Sequence, residues 1–597
     1  MRNTLSPMKS DVQSQEDTFL ATGSISPVFI KNNHGISYAI FYKNQWKDNK
    51  CEKLFQKTVG RVLDDNSIEL GKRFLSQYPS LKGCRAKLAG RQVRLSGGNV
   101  SALPPLANMA EQRQAFFREL DQDTRLSAGA SYVLWEIAKQ NHVAADLEAV
   151  FGKDTASLLL SLSIFFATDP GAVASEFEIY SHHTWLPGPP ATSQQISDLF
   201  QQLSNPEIMA FLKRRLFRSQ QDSEGGVYWS FDTTSISSYS ETIRKVSYGY
   251  SKENPELPQI NLGLIVSESS GEPLYYKVLE GSLSDPLALR QMLVDTANLK
   301  SSDVSLVMDR IFSSPTLLDR LYEQNLGFIC GSKTNLSYCK SVLTNFEPLL
   351  RLGGLDTFLD EYSVQAKTAS TTWTYRDPTT GHQERRSLFI HVYLDPFRAA
   401  CERESLLRRL KAVEKKLLEK SALNDADRDL RNRFFNKGSL GWSYSPERWR
   451  ENEKKFGLFI LVSNTVKKPA EALRIYRQRD IIEKNFNNLK ERCSGRRMHC
   501  QESALEGKVF VLFLSLILLM NLKMRFHLAR EAAGRLKTPP KYLPDDIPDF
   551  LRMMETIDVT SRSSEENNSF YWDLIPKKLR DTLESLKIPE PPRFIIT

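Results

Sequence analysis

The sequence predicts an α/β protein built on a mixed β-sheet, with its central elements in the order β-β-β-α-β-α-β. Three observations predict it. Three strand-like runs, GVYWSFDTTS, INLGLIVSE and PLYYKVLEG, succeed one another between residues 226 and 281, and strands joined by turns should pair antiparallel. Two helix-like stretches then alternate with two short apolar runs, and strands connected through helices should lie parallel. The first of those runs, DVSLVMDR, is apolar almost throughout, as a parallel strand buried on both faces should be.

Each element has a local reason. GVYWSFDTTS reads as a strand ending at Asp232. Ser270-Gly271 supplies the turn between the second and third strands. DPLALRQMLVDTAN (285–298) is the first helix, DVSLVMDR (303–310) the fourth strand, 314–325 the second helix, and GFICGS (327–332) the fifth strand. This is the element order of the ribonuclease H-like fold. Asp232 closes the first strand and Asp309 the fourth. If those strands are neighbours, both carboxylates emerge at one sheet edge. Paired carboxylates repel and call for a cation, and an all-oxygen ligand set favours Mg²⁺ or Mn²⁺. Taken singly, Asp232 reads better as a turn cap and Asp309 as a partner of Arg310, so the site needs a third acid.

Before this core, residues 1–24 are polar and read as a disordered tail. Residues 25–105 hold strand-like runs such as ISYAIFYKN and EKLFQKTVGRVL. Residues 106–220 read as helical, a candidate DNA-binding region by the basic end of its last helix. There SQQISDLFQQLS and PEIMAFLKRRLFR flank Asn205-Pro206, either as a helix-turn-helix with a basic end or as an ordinary helical hairpin. The core is assigned to 221–340 and 458–530, interrupted by an inserted α+β domain at 341–457, since 174 residues separate Asp309 from Glu483. The insertion mixes strands (TTWTYRD, SLFIHVYLD) with a helix striped by Leu406, Leu410, Val413 and Leu417. Residues 531–597 form a C-terminal tail, a candidate dimerisation segment.

Composition bounds the class. Of the 597 residues 41% are hydrophobic and 25% charged, which fits a soluble protein of several structural units. Seven scattered cysteines fit a reducing cytoplasm, and the N-terminus has no apolar signal segment. VFVLFLSLILLMNL (509–522) is short of the roughly 20 residues of a spanning helix, so a buried core helix and no membrane segment are expected. Net charge is +9, and residues 471–540 hold 14 Lys or Arg against seven Asp or Glu, a local excess that suits a polyanion. Cys493, Cys500 and His499 have no common zinc spacing and read as reduced thiols near a packed helix.

The third acid lies in that basic stretch. IYRQRDIIEKNFNNLK (475–490) reads as one helix. At about 100° per residue, Tyr476, Arg479, Glu483 and Lys490 fall on one stripe roughly 60° wide. Ile475, Ile482, Phe486 and Leu489 form the apolar face beside it. A surface helix with an Arg479–Glu483 salt bridge would also fit, but it does not call for the tyrosine or the lysine.

Tyr-x2-Arg-x3-Glu-x6-Lys resembles the signature of a branch of DDE insertion-sequence transposases, and all four positions match. FDTT around the first acid, YGYSKENPELPQINLGLIVSESSGEPLYYKVLEGSLSD (248–285), LVMDR at the second acid and FGLFILVSN before the signature helix are similar too. The resemblance covers about 225–525, and 28–64 loosely. It implies catalytic, metal-holding Asp232, Asp309 and Glu483, two Mg²⁺ or Mn²⁺ ions, and DNA contacts by Tyr476, Arg479 and Lys490. It further implies cleavage at transposon ends and strand transfer into target DNA by a homodimer assembled on the ends, in a bacterial-type cytoplasm at the nucleoid. A ribonuclease H-like nuclease without strand transfer, or a DNA-binding derivative without catalysis, are the alternatives.

Overall fold

Alternating apolar residues over 28–96 build a closed, seven-stranded antiparallel sheet: β1 (Ser24–Ile25), β2 (Val28–Asn33), β3 (Ile36–Lys47), β4 (Lys50–Val62), β5 (Ser67–Leu70), β6 (Arg85–Ala89) and β7 (Gln92–Ser96). The strand order is β1-β7-β6-β5-β4-β3-β2. Only Ser26 and Pro27 separate β1 from β2, so the two ends of that order are one stretch of chain and the sheet forms a barrel. The Val28 N–H donates to the Arg91 carbonyl at 2.8 Å across the seam. Val28, Ala39, Phe41, Val59, Ile68, Val93 and Leu95 fill the interior with Phe74, Tyr78 and Leu81. Phe19, expected in a disordered tail, is buried edge-on against Phe41 and Tyr78.

The computed structural model describes residues 18–20, 22–47, 50–98, 123–221, 226–238, 240, 242–249, 257–296, 304–377, 380–438, 441–493, 497–498, 500–534, 546–563 and 568–596. The chain divides into two compact units, Met1–Gln122 and Asp123–Thr597, and the barrel falls in the first. Most of the expected tail at 1–24 lies outside the described residues.

The second unit opens with β8 (Asp123–Ser127), which pairs with a strand at Asp558–Ser563. The C-terminal segment therefore completes a four-stranded sheet, pinned by Arg125 to Asp558 at 2.6 Å and to Asp573 at 2.9 Å. Helices follow at α1 (Val143–Phe151), α2 (Lys153–Thr168), α3 (Ser193–Gln202) and α4 (Asn205–Gln221). The central sheet then begins with β9 (Val227–Ser238), β10 (Gln259–Ser267) and β11 (Pro273–Glu280). Helix α5 (Asp285–Thr296), β12 (Val304–Met308), α6 (Pro315–Glu323) and β13 (Gly327–Ser332) complete the expected element order. β9 lies antiparallel to β10 and parallel to β12, and β12 is parallel to β13.

The insertion departs from expectation. Its strands β14 (Phe358–Leu359), β15 (Val364–Arg376) and β16 (Gln383–Leu394) do not form a separate sheet. They extend the central one, which a later strand, β19 (Leu458–Ser463), joins to them; its order is β11-β10-β9-β12-β13-β19-β16-β15-β14. Between them the chain makes α7 (Pro396–Leu418), a small hairpin of β17 (Phe435–Gly438) and β18 (Gly441–Tyr444), and returns as β19 (Leu458–Ser463). β19 pairs with both β13 and β16, which fuses insertion and core. Only the helical part keeps its own small core, where Leu410 and Val413 meet Trp449 and Phe456.

After β19 come α8 (Pro469–Gln478), α9 (Asp480–Arg492) and α10 (Leu505–Gly534). The apolar run lies within a helix, α10, of 30 residues, long and apolar enough to cross a membrane by length and composition. It is instead the central core helix: 83% of its apolar window is buried, against α2, α3 and β11 among others. The helical hairpin α3–α4 is part of this core too. Arg214, Arg215 and Arg218 at its basic end all reach Asp146 of α1, at 3.1, 3.2 and 2.8 Å, and Arg215 continues to Glu272. Arg215 is buried there, while Arg214 and Arg218 stay partly exposed as they pair with Asp146, which favours the ordinary helical hairpin.

Candidate active site

The β9–β12 register runs as far as Phe231 opposite Met308. Asp232 and Asp309 therefore occupy the next rung, about 4.8 Å apart between backbones. Asp309 keeps an extended backbone (φ −71°, ψ 166°) and then caps a short 3₁₀ turn at Arg310–Phe312, its Oδ1 accepting the Arg310 N–H at 2.7 Å. Asp232 does not end its strand as expected. β9 runs on to Ser238 because β10 continues to pair with it as far as Ser237. The shared edge arises because β12 stops early. Asp232 Oδ1 accepts the Thr233 N–H at 2.8 Å, and the Thr233 hydroxyl donates to Asp285.

The third acid comes from a broken helix. The expected single helix over 475–490 divides at Arg479, which ends α8 and begins α9. Tighter i→i−3 bonds replace the α-helical ones there, Arg479 N–H to Tyr476 O and Ile482 N–H to Arg479 O. Tyr476 and Glu483 thus belong to different helices. Two glycines position them. Gly271, in the β10–β11 turn at φ +69°, lies so close under Ile481 of α9 that a Cβ would stand 2.8 Å from its Cδ1. Asn485 also donates to the Gly271 carbonyl at 3.3 Å. Gly331 of β13 leaves the space that the Tyr476 hydroxyl fills, since a Cβ there would lie 2.8 Å from it.

The result is a cleft of about 930 Å³ walled by Asp232, Asp309, Glu483 and Lys490, with Asp285 and Lys333 beside them. Arg479 bridges two of the acids: Nη1 lies 3.1 Å from Asp232 Oδ2 and Nη2 3.5 Å from Glu483 Oε1. The Tyr476 hydroxyl donates to Asp309 Oδ1 at 3.4 Å. Burial raises the Asp232 carboxyl to about 6, against the pull of the Thr233 N–H and Arg479, and Asp309 and Asp285 push it the same way. Burial likewise raises the Tyr476 phenol to about 12, helped by Asp309. Burial works against the Arg479 charge, but Tyr476 and the three acids hold it above the ordinary arginine value.

Asp232 and Asp309 are thus brought together on one rung, and Glu483 faces the same cleft with 58% of its side chain exposed. Among the described residues no three acids, histidines or cysteines stand close enough to share one metal ion. Arg479 is lodged between Asp232 and Glu483. The donor chemistry, carboxylate oxygen only, fits a hard divalent cation. Lys490 lies in the cleft wall but is 9% exposed, not on an open stripe as expected. Asp285, Thr233 and Gly331 escaped the sequence reading; Asp285, opening a helix in GSLSD, could have been found as a fourth acid near the others.

Other charged and aromatic side chains of the second unit have partners within it. Lys484 pairs with Asp480 at 2.8 Å, and Arg477 stacks over Tyr362. Trp449 is buried, and Trp442 carries the Arg431 guanidinium over its ring. Cys493 is fully buried, which pushes its thiol up and away from metal binding, while His499 lies outside the described residues.

A cryo-EM structure of the piggyBac transposase synaptic complex with hairpin DNA is similar at 10% identity over 76% of each chain, with a TM-score of 0.30. No curated protein matches the chain. Residues 230–518, just under half of the chain, match the family model of the transposase DDE domain, which supports reading the part that carries all three acids as such a domain.

Proposed function

We propose that the protein is a DDE transposase with a ribonuclease H-like core. It binds the terminal inverted repeats of an insertion sequence, cleaves a strand at each end, and joins the freed 3′-OH to target DNA. The observation that carries this reading is the rung shared by Asp232 and Asp309, with Glu483 across one cleft, inside the stretch similar to the transposase DDE domain. Asp232, Asp309 and Glu483 would hold two Mg²⁺ or Mn²⁺ ions, which when bound activate an attacking oxygen and stabilise a leaving one at phosphorus.

The chain's own groups prepare that site. Arg479 balances the carboxylates and, once released from them, grips a backbone phosphate together with Lys490. Tyr476 orients Asp309 and offers a ring against the DNA backbone or a displaced base. Two copies act together, one on each end.

The test compares nicking of end DNA in Mg²⁺ with binding in chelator. Asp232→Ala, Asp309→Ala and Glu483→Ala should each lower nicking on the order of a hundredfold or more while binding persists. Any of the three that nicks like the wild type does not belong to the site.

A further inference from the structure

We propose that the N-terminal barrel, β1–β7, is a second DNA-binding module that grips the phosphate backbone of a duplex with its outer wall. Three observations carry this. First, residues 18–98 hold 14 Lys or Arg and five Asp or Glu, a net +9 that equals the net charge of the entire chain. Second, no close ion pair holds these cations: among the described residues, the ion pairs all lie in the second unit, from Arg125 onward. Third, the barrel sets cations side by side. Lys87 of β6 stands directly opposite Arg94 of β7, and both are exposed. Like charges opposite each other destabilise a sheet, so the fold alone gives no reason for the pair.

A neighbouring rung carries further cations. Lys31 of β2 faces Tyr38 of β3, which faces Arg61 of β4. Lys31 and Arg61 are exposed, and Arg85 on β6 is exposed on the same side as Lys87, two residues away. Neighbouring strands lie about 4.8 Å apart, so such a row can meet successive phosphates of a duplex. The nearby acids oppose it only in part. Asp65 is held first by the Ser67 hydroxyl and N–H at 2.6 and 3.0 Å and also feels the Lys87 charge, while Glu69, opposite Arg61, makes no ion pair with it. The helical region, by contrast, has spent Arg214, Arg215 and Arg218 on Asp146.

The choice of duplex DNA among polyanions rests on the proposed transposase reading, so the test separates the two. Full-length protein is titrated with a duplex of arbitrary sequence in chelator, where no cleavage occurs, across a range of salt concentrations. The triple variant Arg61→Gln/Lys87→Gln/Arg94→Gln should weaken binding and lower the log–log salt slope by about two to three. The matching variant Arg61→Lys/Arg94→Lys should keep the wild-type slope, which shows that charge and not barrel integrity is read. An unchanged slope in the Gln variant overturns the proposal, as does equal loss in both variants. Single-stranded RNA bound at least tenfold tighter than the duplex overturns the assignment to DNA. Loss of Mg²⁺-dependent nicking in the acid variants is measured separately, so either reading can fail alone.

Discussion

Arg479 lies 3.1 Å from Asp232 and is 15% exposed, an arginine held inside a site whose acids are expected to bind metal. Its second nitrogen reaches Glu483. The same cation therefore holds the first and third acids in register, although they are 251 residues apart in the chain. This arrangement has measurable consequences.

The raised Asp232 pKa makes stability depend on pH. The folded state holds its proton up to about pH 6, whereas an ordinary aspartate releases it near 3.8. Wild-type stability should therefore fall as pH rises through that window, because the folded state binds the extra proton. Asp232→Asn should leave the unfolding midpoint unchanged below about pH 4 and raise stability by about 3 kcal/mol above about pH 6. A gain of equal size at both pH values would mean that Asp232 titrates normally.

Gly331 should matter through Tyr476. Gly331→Ala places a methyl group where the tyrosine hydroxyl sits, so nicking should fall about tenfold or more with little change in DNA affinity. Tyr476→Ala should do the same, and the double variant should be no worse than Tyr476→Ala alone. Additive losses in a double-mutant cycle would show that the two act independently.

Phosphate contacts by Arg479 and Lys490 should show in the salt dependence of end binding. Lys490→Gln should lower the salt slope by about one in Mg²⁺. Arg479→Gln should lower it only in Mg²⁺, because without the metal its charge is engaged by Asp232 and Glu483. Identical slopes for wild type and both variants would leave the two residues as ion-pair partners only.

The buried charge network should be a stability element. Asp146→Ala leaves Arg215, 4% exposed, without one of its two acids and should cost about 3–5 kcal/mol. Burial alone would raise the Asp146 carboxyl, but the three arginines hold it below its ordinary value. Its contribution is thus present above pH 3.8 and lost in stronger acid. Thermal unfolding of wild type and Asp146→Asn should converge as pH drops below that point, and parallel curves would exclude the linkage.

The central strands were legible because their apolar runs are long and bounded by turns, and the rung of Asp232 and Asp309 followed from element order. The break at Arg479 was not: no Gly or Pro interrupts IYRQRDIIEK, and a stripe computed for one helix looks the same whether or not the axis bends. The fusion of the insertion with the core was equally hidden, since TTWTYRD and SLFIHVYLD read alike in their own sheet or in a shared one. Which strand β19 pairs with is a tertiary choice, and so is the burial of Lys490. The arginines of α4 looked like a phosphate-binding end because their partner, Asp146, lies about 70 residues earlier in the chain.

The place of β19 also imposes an order on biosynthesis. It is the strand that leads into α8 and α9, and it docks between β13 and β16 only after the insertion has been made. Asp309 leaves the ribosome 170 residues ahead of Arg479, roughly ten to thirty seconds at ordinary elongation rates. For that interval a nascent chain carries both aspartates with no arginine to balance them, and the sheet edge at β13 stays open. Ribosomes stalled before residue 458 should therefore display an unpaired strand edge that attracts chaperones. The same chain stalled beyond α10 should bury that edge.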